Sequence, residues 1–160
     1  MAVRLFLKID DIKGESTDAK HKGEIDVESF SWGVTQAGGS AGGGGGGAGK
    51  ASFPDFSFTT PQSVASPVLF LSCAQGKHLK EAVLTARTSG KAGLDFYKVS
   101  FYDLLISGIH ESGSSGTAGI SESVTFNFQK VKVEYSRKNA KGGLEPPVST
   151  GWGLKANKPI

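Results

Sequence analysis

The sequence predicts a mainly β protein: a bulged antiparallel β-barrel with one flanking α-helix, in a single domain over residues 1–160. Three observations carry this expectation. Val3, Leu5, Leu7 and Ile9 alternate with Arg4, Phe6 and Lys8, the period of a strand with one buried face. Two later segments keep that period but change its parity midway. The 23 Gly and 6 Pro suit strands joined by turns better than helices.

In the first of those segments Ile25 and Val27 are apolar at odd positions, whereas Phe30, Trp32 and Val34 are apolar at even ones. A one-residue slip would turn every later side chain to the wrong face, so a bulge or sharp bend is expected near Glu28 or Ser29. Phe30, Trp32 and Val34 then point inward, and Ser29, Ser31 and Gly33 point outward. In the second segment Val124, Phe126 and Phe128 hold even positions and Val131, Val133 and Tyr135 odd ones, which places another bulge near Gln129 or Lys130. Ser123, Thr125 and Asn127 take its outer face. Two long strands, each corrected once, favour a closed barrel, and closure also removes exposed edges. Phe30, Trp32, Val124, Phe126 and Phe128 are its expected core.

Further strands are expected around residues 51–58, 79–87 and 94–106, and briefly at 150–154, while GLEPPVSTGW between Gly143 and Trp152 reads as a linker. The helix should run from Pro67 to Gln75, with Ser66 as N-cap, Pro67 at the first position and Gly76 as a left-handed stop. Val68, Leu69, Phe70 and Leu71 leave it little polar surface, so it should pack on the barrel wall or plug one mouth.

The formal charge of +3 is mild, and acids and bases interleave. Only the last third leans basic, through Lys130, Lys132, Arg137, Lys138 and Lys141, without the dense stripe and aromatic platforms of a nucleic-acid binder. Cys73 stands alone among apolar neighbours and reads as a buried structural thiol. The apolar stretch in MAVRLFLKIDD is too short for a signal-peptide core and is broken by Lys8, Asp10 and Asp11, so a cytosolic start is expected, with no membrane span.

Signals that could be chemistry are weak. Gly44 with Gly49 and Lys50 matches G-x-x-x-x-G-K, but Ala51 stands where a hydroxyl would hold magnesium, and strand-like SFPDFSF follows instead of a helix. His21, His78 and His110 have no second ligand at metal spacing and read as turn residues with surface or hydrogen-bonding roles. No G-x-S-x-G elbow is present, and Asp10 with Asp11 reads as a turn. No catalytic residue, metal or cofactor is expected. The alternative is a small-ligand barrel of lipocalin type, opposed by the large inward aromatics.

GESTDAKHKGEIDVESFSWG at 14–33, the glycine run closing on Ala48, Gly49 and Lys50, SGIHESGSSG, ESVTFNFQKVKVEY and GWGLKANK together resemble the Hcp family, the haemolysin-coregulated tube proteins of bacterial type VI secretion. The resemblance covers essentially the whole chain. It implies a non-enzymatic subunit that forms hexameric rings, stacks into a tube and leaves the bacterial cytoplasm on sheath contraction without a cleaved signal. The partners it implies are further copies, the spike, the sheath, the baseplate and effector proteins, with no nucleic acid and no membrane insertion. It implies an extended loop at about 37–50, with Gly42, Gly43, Gly44, Gly45, Gly46, Gly47, Ala48, Gly49 and Lys50 as the ring-stacking contact, and a short tail at 154–160. Ser29, Ser31 and Gly33 become, by the same resemblance, a lumen wall that effectors touch.

Overall fold

A computed structural model describes residues 2–37, 49–90 and 92–160. The elements in order are β1 (Val3–Ile9), β2 (Ile25–Val27), β3 (Ser29–Ser31), β4 (Thr35–Gln36), β5 (Ala51–Ser52), β6 (Phe56–Pro61), α1 (Ala65–Gln75), β7 (His78–Thr88), β8 (Asp95–Ser112), β9 (Ser121–Asn127), β10 (Lys130–Tyr135), β11 (Val148–Gly153) and β12 (Lys158–Pro159). The class is mainly β with a single helix among the described residues.

Strand β8 is the spine. One edge pairs with β7, and the other pairs first with β10 and then with β9. Beyond β7 lie β1 and β2, and beyond β9 lie β6 and β3, all antiparallel. Because β2 and β3 are consecutive pieces of one segment, the wall returns on itself. It is not closed by a ladder, which corrects the expectation of a closed barrel. Three-residue strands on either side of a bend each reach one neighbour only, so β2 bonds to β1, β3 bonds to β6, and the chain itself spans the seam at Glu28. The Glu28 N–H donates to the Thr59 carbonyl at 2.8 Å.

The second parity change is a crease shared by three strands. The segment breaks at Phe128 and Gln129 between β9 and β10. Opposite, Asp103 of β8 takes a left-handed φ of 57°. In β7 the regular pairing skips Lys80, between Leu79↔Leu104 and Glu81↔Tyr102. The buried residues change parity in all three strands along this line: Leu79 then Ala82 and Leu84, Phe101 then Leu104 and Ile106, Phe128 then Val131. The strands bend together, so their register survives.

The core is aromatic. Phe56 lies 4.8 Å from both Phe101 and Phe126 between ring centroids, and Phe101 lies 5.2 Å from Phe126. Val124 and Phe128 are buried beside them, while Phe30 and Trp32 are half-buried against the same cluster. The Trp32 Nε1–H donates to the Tyr97 hydroxyl at 3.0 Å.

Several local expectations are corrected. Val34 is 53% exposed, because the chain leaves the wall after Ser31 to form the separate β4–β5 ribbon. Phe6 is fully buried on the outer face of β1, since the segment between β1 and β2 folds over it. Helix α1 begins at Ala65, so Ser66 lies within it and is not the N-cap. Ser63 takes the local role instead, its hydroxyl accepting the Ala65 N–H at 3.1 Å, while the Ser66 hydroxyl accepts the Ser63 N–H at 2.9 Å. Gly76 ends the helix with φ 62°. Strand β8 runs on to Ser112 because β9 continues to pair with it, which puts His110 in a strand and not in a turn. Residues 143–152 are not a plain linker, since Leu144 bridges Lys138 and β11 pairs along β10. Cys73 is half-buried against the core, not fully buried, and unbridged.

Candidate functional site

Strands β3, β6, β9 and the second half of β8 present one continuous outer face. Registers align Ser29, Thr59, Ser123 and His110 in one row, and Ser31, Ser57, Thr125 and Gly108 in the next. The rule is alternation: Phe58 and Val124 are buried, so their neighbours in sequence face away from the core. The result is a sheet face of short hydroxyl side chains.

Its hydroxyls engage one another. Ser29 Oγ lies 2.6 Å from Thr59 Oγ1, and Ser107 Oγ lies 2.9 Å from Thr125 Oγ1 while donating to Asp55 Oδ2 at 2.5 Å. Ser107 is the extra residue of a bulge, since pairing jumps from Ile106↔Phe126 to Gly108↔Thr125. A Cβ on Gly108 would come within 3.0 Å of Thr125 Oγ1, so glycine keeps the face low there. No serine of this face hydrogen-bonds a histidine among the described residues, although His110 stands beside Ser123 in the same row. The face can offer many neutral donors and acceptors, and that suits reversible contact with a polar surface.

Ser29 and Ser31 are exposed on this face. Gly33 follows β3, half-buried, where the chain departs towards β4. Of the expected stacking contact, Gly42 to Ala48 lie outside the described residues. The Gly49 carbonyl accepts from Gln36 Nε2 at 2.8 Å, and exposed Lys50 leads into β5. A strand therefore follows the glycine run where a phosphate loop would need a helix. Ser57, Thr59, Ser107 and Asp55 were missed as face residues, although the Phe56 and Phe58 alternation carries the signal for the first two.

A second polar centre lies under the segment between β1 and β2. The His21 ring stacks on Phe6 at 4.6 Å, with Nδ1 2.9 Å from Glu24 Oε2 and Nε2 3.1 Å from the Asp95 carboxylate. Arg87 donates to Asp95 at 2.8 Å. Burial pushes the Asp95 carboxyl up, but the hydrogen bonds from Arg87 and His21 together with their charges hold it below its ordinary range. Asp18 is lowered chiefly by the Lys20 N–H, with Arg87 and Arg4 nearby. A third centre is the buried Glu122, whose Oε1 accepts the Ser66 hydroxyl and whose Oε2 has no hydrogen-bond partner among the described residues. Burial raises its carboxyl, the Ser66 donor opposes, and Glu111 raises it further.

Among the described residues no three His, Cys, Asp or Glu side chains cluster as a metal site, and no helix is long and apolar enough to cross a membrane. Two of the larger clefts, of about 1010 and 520 Å³, open between surface segments and are not lined by the aromatic core.

The family profile described as "Type VI secretion system effector, Hcp" matches residues 6–135. The chain is 41% identical over 159 residues to Protein hcp1 of Pseudomonas aeruginosa, covering 98% of each. Among solved structures it is similar to Hcp1 from Salmonella typhimurium, with TM-score 0.82, 39% identity and full coverage of both chains. A structure described as a type six secretion system protein superposes with TM-score 0.93 at 28% identity, over 99% of this chain and 100% of the other. A type VI secretion system effector from Yersinia pestis gives TM-score 0.77 at 33% identity, over 94% and 99%. By sequence and by fold, this chain belongs to the Hcp family of type VI secretion tube proteins.

Proposed function

We propose that the protein is the tube subunit itself. Copies assemble into six-membered rings, the rings stack, and contraction of the surrounding sheath expels the tube from the cytoplasm. The observation that carries this reading is the hydroxyl face running unbroken across β3, β6, β9 and β8, which offers contact without an activated group. That face, with Ser29 and Ser31, serves as the lumen wall touched by effectors, and Gly33 lies at its border. The segment Gly42 to Lys50 supplies contacts between stacked rings. Spike, sheath and baseplate are the other partners. The work is geometric and needs no catalytic residue, metal or cofactor.

The lipocalin-type alternative is disfavoured by the Phe56, Phe101 and Phe126 rings that fill the interior. Light scattering on the purified chain, followed by negative-stain imaging of the same peak, tests the reading. Six-fold rings without added ligand are expected. A monomer that persists at high protein concentration overturns it.

A further inference from the structure

Residues 14–24, between β1 and β2, form a flap that closes on itself. The Gly14 N–H donates to the Gly23 carbonyl at 2.8 Å, the Gly23 N–H to the Ser16 carbonyl at 2.8 Å, and the Ser16 N–H to the Glu24 carbonyl at 3.0 Å. A Cβ on Gly14 would stand 2.5 Å from that Glu24 oxygen, so glycine lets the two arms meet. With these backbone bonds spent internally, side chains tie the flap to the rest of the fold. Glu15 Oε2 accepts the Val64 N–H at 3.0 Å, Asp18 accepts from Arg4 of β1 at 3.4 Å, and His21 reaches Asp95 of β8 at 3.1 Å. Of these three ties His21 alone is buried, 7% exposed, with its ring stacked on Phe6.

The His21 ring has a carboxylate at each nitrogen, Glu24 Oε2 at 2.9 Å from Nδ1 and both Asp95 oxygens at 3.1 Å from Nε2. A carboxylate only accepts, and a neutral imidazole has one N–H to give. Both contacts are hydrogen bonds only when the ring carries both protons and a positive charge. The surroundings suit that charge. Glu24 and Asp18 of the flap, Asp95 of β8 and Asp26 of β2 are carboxylates, set against the guanidiniums of Arg87 on β7 and Arg4 on β1. Lys20 is exposed and bonds Asp18 through its backbone N–H.

We infer that His21 is a charged clasp, and that loss of its ring proton releases the flap from the wall. One nitrogen then turns a bare lone pair on a carboxylate in a buried place, and a contact that held the flap opposes it. Release uncovers Phe6 and leaves the two exposed ties at Glu15 and Asp18. Every group in the clasp belongs to one chain, so the inference stands apart from the ring reading.

The test follows amide hydrogen exchange of residues 14–24 by mass spectrometry on the full-length chain, from about pH 5.5 to 9, across the imidazole range, with intrinsic rates divided out. Exchange of the His21 ring C2 hydrogen in the same samples reads when its proton leaves. The flap should open as the ring loses its charge, its amides quickening by roughly 10- to 100-fold while those of β8 hold. His21→Gln should remove this step, and a variant carrying both His78→Gln and His110→Gln, at exposed positions, should keep it. In Glu24→Gln the side-chain amide can donate to a neutral Nδ1 while the Nε2–H serves Asp95, so this flap should stay shut in alkali. A parent flap that stays shut throughout overturns the inference, as does a step that survives His21→Gln, is unchanged in Glu24→Gln, or vanishes with the two exposed histidines. Should His21→Gln fail a thermal melt, the parent and Glu24→Gln profiles decide.

Discussion

Glu122 of β9 stands directly opposite Glu111 of β8 in the ladder while its buried carboxylate accepts the Ser66 hydroxyl at the start of helix α1. One buried acid thus ties a strand to a helix, beside a second acid. Burial raises the Glu122 carboxyl above its ordinary value of 4.5, with the Ser66 donor opposing and Glu111 adding to the rise. A raised folded value means that its contribution is fully present below the ordinary value and is lost as pH climbs through the higher one. Glu122→Gln keeps an acceptor for Ser66 and removes the charge. Urea unfolding from pH 4 to 8 should show the variant gaining on the parent as pH rises, by about 1 kcal/mol at the upper end. Parallel pH profiles would count against the account.

Asp95 has the opposite sign. Burial opposes its ionisation, but donors from Arg87 and His21 prevail, so its folded value is lowered. Its contribution is present above the ordinary carboxylate value and is lost as pH falls through the folded one. His21→Ala removes a donor to Asp95, a partner of Glu24 and the ring stacked on Phe6. The expected loss is about 1–3 kcal/mol at pH 7, read by thermal unfolding. Amide exchange between β1 and β2 should quicken in the same variant.

Phe56 touches Phe101 and Phe126 and is fully buried. Phe56→Ala opens a cavity at the centre of the aromatic cluster and should cost about 3–5 kcal/mol in denaturant unfolding. A cost below about 1 kcal/mol would mean that the cluster closes over the gap.

Ser31→Gln lengthens one side chain on the hydroxyl face without touching the core. Rings should persist by light scattering while co-purification of effector proteins falls. Unchanged effector recovery would remove Ser31 from the contact surface.

Much of this fold is legible in the residues, and the failures have physical causes. Parity changes at 27–30 and 128–131 are visible because apolar side chains report their own burial. Their partners at Lys80 and Asp103 are harder to see, since Val83 and Tyr102 put apolar or aromatic groups on the outer face and blur the alternation. Phe6 reads as exposed because what covers it, His21, is held by Asp95 from 74 residues away. The helix start is shifted because Ser63 and Ser66 are equally good local acceptors, and only the packing against Glu122 places Ser66 inside. For the hydroxyl face, Ser29, Ser31, Ser123 and Thr125 follow from parity alone. Ser107 joins it through a bulge, which no local pattern announces.

The crease at Lys80, Asp103 and Gln129 limits how this scaffold tolerates changes in length. An added residue in any one of the three strands would reverse that strand's inner and outer faces without reversing its neighbours, setting Phe101 or Leu104 against water. Insertions and deletions should therefore be confined to turns such as 113–119 and 139–143. Those turns are also the places where a tag or a fused passenger peptide can be grafted while leaving the wall intact.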